Sequence, residues 1–232
     1  MRLAKLARKV RRRLTRFTVT ERIVSFGGVG SSALVAHLEG GDEDRIWYHS
    51  RDKHCLDPEL LPEVERGLDV RACFVFGDPR AAVLSVFRRG LHRRHERSMS
   101  RAIPGYRPVL RTATTLEDYL EAGVDRFHLE AHLDRWIHYP GGRVEVLAVK
   151  YEALDENIDP VLSFLRCSRP FHVRPRTRSV ADEPEHVRRG LERMYGALAA
   201  RIDALPSLFR PPLSRPGSPW PRRPTGTSPG RG

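Results

Sequence analysis

Apolar residues along the chain follow two different spacings. Short continuous apolar runs, bounded by glycine, proline or polar residues, predict buried β-strands at 22–26, 45–48, 71–76 and 144–149. Apolar residues at helical spacing predict helices at 31–39, 58–68, 79–91, 115–122, 127–138, 158–166 and 184–204. Because strands and helices alternate, we expect an α/β fold with three α/β/α layers around a central parallel sheet. Residues 92–113, which are rich in arginine, are expected to form a loop.

Positive charge is concentrated at the two ends of the chain. The formal net charge of +12 suggests a nucleic-acid partner, but residues 1–20 hold eight Lys or Arg and residues 206–232 hold five Arg, with no acid in either segment. The remaining residues, 21–205, carry 28 basic and 29 acidic side chains. We therefore expect a basic N-terminal arm (1–20), one α/β domain (21–205) and a disordered Pro/Arg-rich tail (206–232). The basic ends could contact anionic surfaces weakly.

The cysteines and the lengths of the apolar runs exclude several classes of protein. Cys55, Cys73 and Cys167 have neither the spacing of a disulfide framework nor that of a zinc site, and no metal is expected. No run reaches the 18 apolar residues of a membrane span. We expect an intracellular, cytoplasmic protein. The Arg-rich N-terminus fits either an organellar transit segment or a solvated basic arm.

A glycine-rich loop follows the first predicted strand. Gly27, Gly28 and Gly30 lie within four residues, and Ser31 and Ser32 open the next predicted helix. Glycines let the backbone approach a ligand closely, so the loop is suited to hold the phosphate end of a nucleotide. A tight strand-to-helix turn explains the same residues equally well. The full Walker pattern is absent, because no lysine precedes Ser31.

Three polar loops directly follow predicted strands. They are the loop Gly27–Ser32, the loop His49–His54 and the turn Gly77–Ser85. Ligands of parallel α/β sheets bind at the carboxyl ends of the strands. We therefore expect the three loops to meet at one edge of the sheet and to form a binding site there.

The order of these segments resembles the P-loop sulfotransferases, which transfer a sulfuryl group from 3′-phosphoadenosine 5′-phosphosulfate (PAPS) to a hydroxyl or amine. The resemblance covers 21–166 and rests on strand-G-x-G-S-S-x-L, K-H-x-x-x-x-x-L-L-P, F-V-F-G-D-P-R-A-A-V-L-S and V-K-Y-E-A-L. It implies that the chain is an enzyme of P-loop fold with PAPS as its sulfuryl donor. The implied partners are this nucleotide and a small-molecule or glycan acceptor, whose identity the sequence leaves open together with the oligomeric state.

The resemblance also implies roles for individual residues. Gly28, Gly30, Ser31 and Ser32 match the loop around the 5′-phosphosulfate, and Ser85 matches the serine that binds the 3′-phosphate. Tyr151 and Glu152 match a Tyr-Glu pair beside the nucleotide loop.

Two residues that are usual in the family are missing. Its loop lysine falls at Gly28 and its 3′-phosphate arginine falls at Gly77, which removes two cations from the expected site. Arg80 is the nearest substitute, followed by the arginines 88, 89, 93 and 94, because arginine binds phosphate oxygens in a bidentate manner. The solvated face of a helix is the alternative explanation for any one of these arginines.

Sulfuryl transfer requires a base that accepts the proton of the acceptor, and histidine is suited to this role at neutral pH. His54 is the first candidate, since the Lys53-His54 pair precedes Leu60-Leu61-Pro62 as the catalytic histidine does in the family. His49 is the alternative. Weaker candidates are His92, His95, His128 and His132.

Two other functions remain open at this point. One is a nucleotide-dependent kinase or NTPase with a degenerate P-loop, for which Lys53 and Lys150 are the only internal lysines. The other is a catalytically decayed anion-binding protein, which the two missing cations favour.

Overall fold

The structure is a computed structural model that describes residues 21–38, 53–100, 103, 105–173 and 179–212. The predicted strand at 45–48, the basic arm 1–20 and His49 lie outside these residues. So does most of the predicted tail, from residue 213 onward.

The described residues form a mixed α/β fold around a four-stranded open sheet in the order β1-β2-β3-β4. Strands β1 (Glu21–Ser25), β2 (Val70–Phe76) and β3 (Val144–Lys150) are parallel, and β4 (Leu208–Phe209) pairs antiparallel with β3. β2 is buried from Ala72 to Phe76, as expected for a central strand with both faces covered. The three predicted parallel strands are thereby confirmed.

Seven α-helices occur in the described part of the chain. They are α1 (Ser32–Leu38), α2 (Pro79–Arg88), α3 (His92–Ser100), α4 (Leu116–Ala122), α5 (Leu129–Ile137), α6 (Ile158–Phe164) and α7 (Glu185–Asp203). All except α3 fall within predicted helices. None of these helices is long and apolar enough to cross a membrane.

Local signals explain where the helices begin. The Asp78 side chain accepts a hydrogen bond from Arg80 N (2.9 Å), and Pro79 takes the first position of α2, where a missing N–H costs nothing. Thr115 and Asp118 form a reciprocal capping box at α4. Gly123, with φ of 62°, ends α4 in the left-handed region.

The helix predicted from Pro58 to residue 68 is wrong. Two separate 3₁₀ turns, Pro58–Leu60 and Val64–Arg66, occupy this segment. Pro62 lies between them and cannot donate the backbone hydrogen bond that a continuous helix requires. Gly67, with φ of 77°, ends the second turn.

The loop predicted at 92–113 is also partly wrong, because its first half forms α3. The buried residues of α3 have helical spacing, but they are mostly polar: His92, His95, Glu96 and Met99. A search for apolar periodicity therefore does not detect this helix. Residues 106–113 have no regular secondary structure, as expected.

The tail expected to be disordered from residue 206 begins with an ordered segment. Leu208 and Phe209 form β4, and Lys150 N donates a hydrogen bond to Ser207 O (2.8 Å). The Phe209 ring lies 6.0 Å from the ring of Phe76. The folded domain therefore extends past the predicted boundary at residue 205.

Candidate functional site

A cavity of about 450 Å³ lies beside the carboxyl end of β1. Its walls come from the loop Gly27–Ser32, from Lys53 and His54, and from residues of α2, α3 and the turn between them. This volume is within the range of small-molecule and cofactor sites. Two of the three loops that were expected to meet here supply lining residues, and the third, at Gly77, contacts Glu152 of the neighbouring segment.

The glycine loop is held tightly between α2 and Tyr151. Gly28 has φ of 89°, and a Cβ atom there would lie 2.1 Å from the backbone oxygen of Ala82. Gly30 has φ of 78°, and its Cβ would lie 2.7 Å from the Tyr151 ring. Both positions therefore require glycine. A lysine at position 28, as in the sulfotransferases, does not fit this backbone.

Two serines of the loop have different partners. Ser31 is buried, and its Oγ lies 2.7 Å from Ser25 Oγ, so it joins the loop to the end of β1. Ser32 is exposed at the start of α1, and its Oγ accepts a hydrogen bond from Lys53 Nζ (2.7 Å). A lysine from another segment therefore contacts the serine loop.

Lys53 is the cation that contacts Ser32 of the loop. Burial, followed by the charges of Arg89 and Arg94, lowers its pKa to about 8. The backbone oxygen of Lys53 accepts a hydrogen bond from Ser25 N (2.6 Å), which fixes this segment against the end of β1. Sequence reasoning noted Lys53 only as the neighbour of His54 and as an internal lysine. The signal that could have identified Lys53 as a lining residue is its place beside His54 in a loop after a predicted strand.

The His54 ring is oriented by the backbone. Its Nδ1 lies 2.8 Å from the carbonyl oxygen of Ser25, so Nδ1–H is the donor and Nε2 keeps its lone pair. Burial, followed by His95 and Lys53, lowers the pKa of His54 well below its usual value. The imidazole is therefore neutral at pH 7 with an unprotonated Nε2, and it is a weaker base than an ordinary histidine.

His95 lies next to His54 on α3. The two rings are perpendicular, with centroids 4.7 Å apart. His95 is 4% exposed, and its Nε2 has no hydrogen-bond partner among the described residues. Burial, followed by Lys53 and Arg89, lowers its pKa to about 3. A Cβ at Gly27 would lie 2.1 Å from His95 Cε1, so glycine is needed there for this close approach.

Among the described residues, the charges that line the cavity are all positive. They are Lys53, Arg89 and Arg94, and no described side chain that lines it is acidic. The Arg89 guanidinium is held on α2 by a hydrogen bond from Nε to Ser85 O (2.9 Å). With both histidines neutral, three cations remain at pH 7. The cavity is therefore suited to a multiply charged anion.

Three residues predicted to bind the nucleotide, Arg80, Ser85 and Tyr151, do not line the cavity. Arg80 is bound by Asp78, through Nε at 3.0 Å, and by Glu192, through Nη1 at 2.7 Å. These carboxylates raise the pKa of Arg80, with the hydrogen bond to Asp78 as the main cause. Ser85 is half-buried on α2, one turn before Arg89, and is not among the lining residues.

The segment after β3 packs against Gly30 of the glycine loop and against Gly77. Tyr151 packs its ring against Gly30 and does not line the cavity. Glu152 accepts a hydrogen bond from Asp78 N (3.3 Å), and its carboxylate would lie 2.8 Å from a Cβ at Gly77. An arginine at position 77 would therefore displace Glu152.

The weaker candidates His92, His128 and His132 do not line the cavity. His132 packs against the rings of Phe26 and Phe74 in the core, and burial lowers its pKa to about 3. His92 Nε2 lies 2.8 Å from the carbonyl oxygen of Arg111. His128 contacts the Tyr106 ring. Within the described ranges, no three His, Cys, Asp or Glu side chains come together as a metal site.

Comparisons of this chain with protein-family models, with curated proteins and with solved structures find no match.

Proposed function

We propose that this chain is a PAPS-dependent sulfotransferase whose donor nucleotide binds in the cationic cavity. The observation that carries the proposal is the hydrogen bond from Lys53 Nζ to Ser32 Oγ. It brings a lysine to the serine loop although the loop itself has glycine at position 28. The site then has the cation that sulfuryl transfer needs beside the leaving oxygen.

Arg89 and Arg94 take the place of the arginine that is missing at Gly77. Both line the same cavity as the glycine loop, and both lie close enough to Lys53 to lower its pKa. Guanidinium groups bind phosphate oxygens in a bidentate manner, so these two are suited to a second phosphate group. Arg80, engaged by two carboxylates, has no part in this proposal.

His54 is the proposed general base. In the transfer, the bond between sulfur and the bridging phosphate oxygen breaks while a bond from sulfur to the acceptor oxygen or nitrogen forms. His54 Nε2 accepts the acceptor proton, because its Nδ1–H is committed to Ser25 O. The ammonium group of Lys53 stabilises the negative charge that develops on the leaving phosphate. Positioning and fixed charge are the main contributions expected from the protein.

The test is calorimetry with adenosine 3′,5′-bisphosphate (PAP), the product nucleotide, compared with Mg·ATP. PAP is expected to bind more tightly. Lys53→Gln should weaken PAP binding by about tenfold or more, since one charged hydrogen-bonding group is lost. Arg143→Ala is the matched control, because Arg143 is exposed and paired with Asp69 away from the cavity. Absence of PAP binding, or tighter binding of Mg·ATP, would overturn the proposal.

The role of His54 is tested separately from binding. His54→Ala should keep PAP affinity within about threefold and abolish transfer of labelled sulfate from PAPS to a panel of phenols and amines. Tight PAP binding with no transfer by the unaltered protein would favour the decayed anion-binding protein. Tight Mg·ATP binding would favour the kinase or NTPase.

A further inference from the structure

A second cationic surface lies next to the cavity on α3. Arg93 and Arg97, together with Arg111 of the following loop, line a groove whose other lining residues are Pro108, Val109, Leu110, Thr112 and Ala113. Arg97 follows Arg94 by three residues and Arg93 by four, so it is the helical neighbour of both. The cationic lining of the cavity therefore continues through Arg94 and Arg97 into the groove.

The arginines of this surface differ from most others in the described part of the chain. Arg71, Arg80, Arg88, Arg135, Arg143, Arg188, Arg201 and Arg210 each form an ion pair with a carboxylate. Arg93, Arg97 and Arg111 have no ion pair with any described residue, and all three are exposed. Three exposed cations along one groove, none of them in an ion pair, repel one another, which an anionic ligand would relieve.

Glu96, the only acidic residue of α3, is hydrogen-bonded to the loop that forms the other side of the groove. Glu96 is fully buried and accepts hydrogen bonds from Tyr106 OH (2.9 Å), Val109 N (3.1 Å) and Leu110 N (2.8 Å). The buried His92 holds the carbonyl of Arg111 at 2.8 Å. These contacts fasten loop 106–111 to α3 although it has no regular secondary structure. The groove is consequently a shaped surface between two connected segments.

The loop opposite α3 also presents apolar side chains to the groove. Val109 is 52% exposed and is one of only two large hydrophobic side chains that are exposed in the described residues. Pro108 beside it is also exposed. Exposed apolar surface rimmed by charged groups is typical of ligand-binding grooves. The groove thus combines apolar contact with cationic recognition.

We propose that this groove binds the acceptor, and that the acceptor is a small molecule with an apolar or aromatic body and a carboxylate, sulfate or phosphate group. The assignment as an acceptor site rests on the function proposed above. Arg93, Arg97 and Arg111 hold the anionic group, and the apolar body lies on Pro108 and Val109. Arginine suits both tasks, since its guanidinium binds carboxylates and stacks on aromatic rings. The nucleophilic hydroxyl or amine then points along the Arg97–Arg94 side towards the donor cavity.

The experiment compares two probes that differ in charge, 6-hydroxy-2-naphthoate and the neutral 6-hydroxy-2-naphthamide. Calorimetry on the full chain, with and without saturating PAP, is expected to show about tenfold tighter binding of the naphthoate. Arg93→Ala/Arg111→Ala should remove this preference while PAP affinity stays within about twofold. Arg143→Ala, which removes an exposed arginine from another surface, should keep the preference.

The outcomes separate this inference from the proposed function. Equal affinity for both probes, or a preference that persists in the double variant, overturns the groove assignment. Binding of a sulfated disaccharide without binding of naphthoate overturns the apolar-body assignment and assigns the surface to saccharides. Naphthoate preference together with failure to bind PAP upholds the anion-binding groove and overturns the sulfotransferase proposal. Thermal unfolding of the double variant, expected to match the unaltered protein, shows that its fold is intact.

Discussion

At the scale of single residues, Gly28 and Lys53 determine how the cavity obtains its positive charge. Gly28 cannot carry a side chain, because its φ is positive and its Cβ position is occupied by the Ala82 carbonyl. Lys53 reaches the same loop from the neighbouring segment and contacts Ser32. The cavity therefore has a lysine, Lys53, although position 28 is glycine.

The lowered pKa of Lys53 predicts a pH dependence for anion binding. Below about pH 8 the free protein carries this charge, and above it the charge is lost. PAP affinity should therefore decrease as pH rises from 7 to 9.5, by up to about tenfold per unit, while the nucleotide phosphates stay fully ionised. Calorimetry across this range measures the slope.

Two variants control for other causes of that slope. Lys53→Arg should flatten it, since arginine stays protonated throughout. Lys53→Gln should give weak affinity at every pH. An unchanged slope in both variants would assign the titration to another group.

The steric requirement at Gly28 predicts that a lysine at this position, as in the sulfotransferases, destabilises the protein. Gly28→Ala and Gly28→Lys should each lower the free energy of unfolding by about 2–4 kcal/mol, from positive-φ strain and the clash with Ala82. Neither should improve PAP affinity. Gly90→Ala is the matched control, because Gly90 has φ of 62° with no atom within 4 Å of its Cβ position. It should cost only about 1 kcal/mol. Similar losses at positions 28 and 90 in urea unfolding would contradict the role assigned to the clash.

At the scale of elements, α3 is fixed next to the cavity by buried polar side chains. The helix buries His92, His95 and Glu96 rather than an apolar stripe, and each has a task that joins segments. His95 faces the glycine loop, while Glu96 and His92 hold loop 106–111. These contacts fix α3, the helix that carries the exposed arginines, against both segments.

A buried ion pair joins β1 to the 3₁₀ segment that precedes β2. Arg22 is 2% exposed and Glu63 is 0% exposed, and Arg22 Nε lies 3.2 Å from Glu63 Oε2. Glu63→Gln leaves the guanidinium buried without its full counter-charge, so the free energy of unfolding should fall by about 3–5 kcal/mol. Arg22→Met/Glu63→Leu should be far less harmful than the single change, because both charges are removed together. Urea denaturation of the unaltered protein and the two variants measures this, and a double variant at least as destabilised as Glu63→Gln would contradict the coupling.

At the scale of the whole molecule, the end of the chain completes the sheet. β4 follows α7 and returns along β3, where Ala148 pairs with Phe209 and Val149 with Leu208. Arg210 also forms an ion pair with Glu145 of β3. The predicted domain boundary at residue 205 would cut through these contacts.

Truncation tests the position of that boundary. A chain ending at residue 205 loses β4, the Phe209–Phe76 contact and the Arg210–Glu145 pair. Its melting temperature should be several degrees lower than that of a chain ending at residue 212, at about 2–4 °C per kcal/mol lost. Differential scanning calorimetry of both truncated chains gives the comparison. Equal melting temperatures would mean that β4 contributes nothing to stability.

Local patterns were sufficient to predict the three parallel strands, most of the helices and the loops at the carboxyl edge. Continuous apolar runs and glycine turns are signals within a few residues, so they can be recognised without the fold. These signals, together with the family resemblance, singled out His54 and the glycine loop, which line one cavity. The helix predicted at 58–68 failed because Pro62 and Gly67 override apolar spacing, and α3 was missed because its buried face is polar.

The sequence by itself therefore determined an α/β chain with a glycine loop and a histidine at one edge of a parallel sheet. Only the tertiary structure decided which cations surround that loop. Lys53 and Ser32 are 21 residues apart, and Arg80 is bound to Glu192, 112 residues away. Spacing along the chain does not predict such contacts, because they depend on how separate elements pack. For the same reason β4, at the far end of the chain, became part of the sheet only through its pairing with β3.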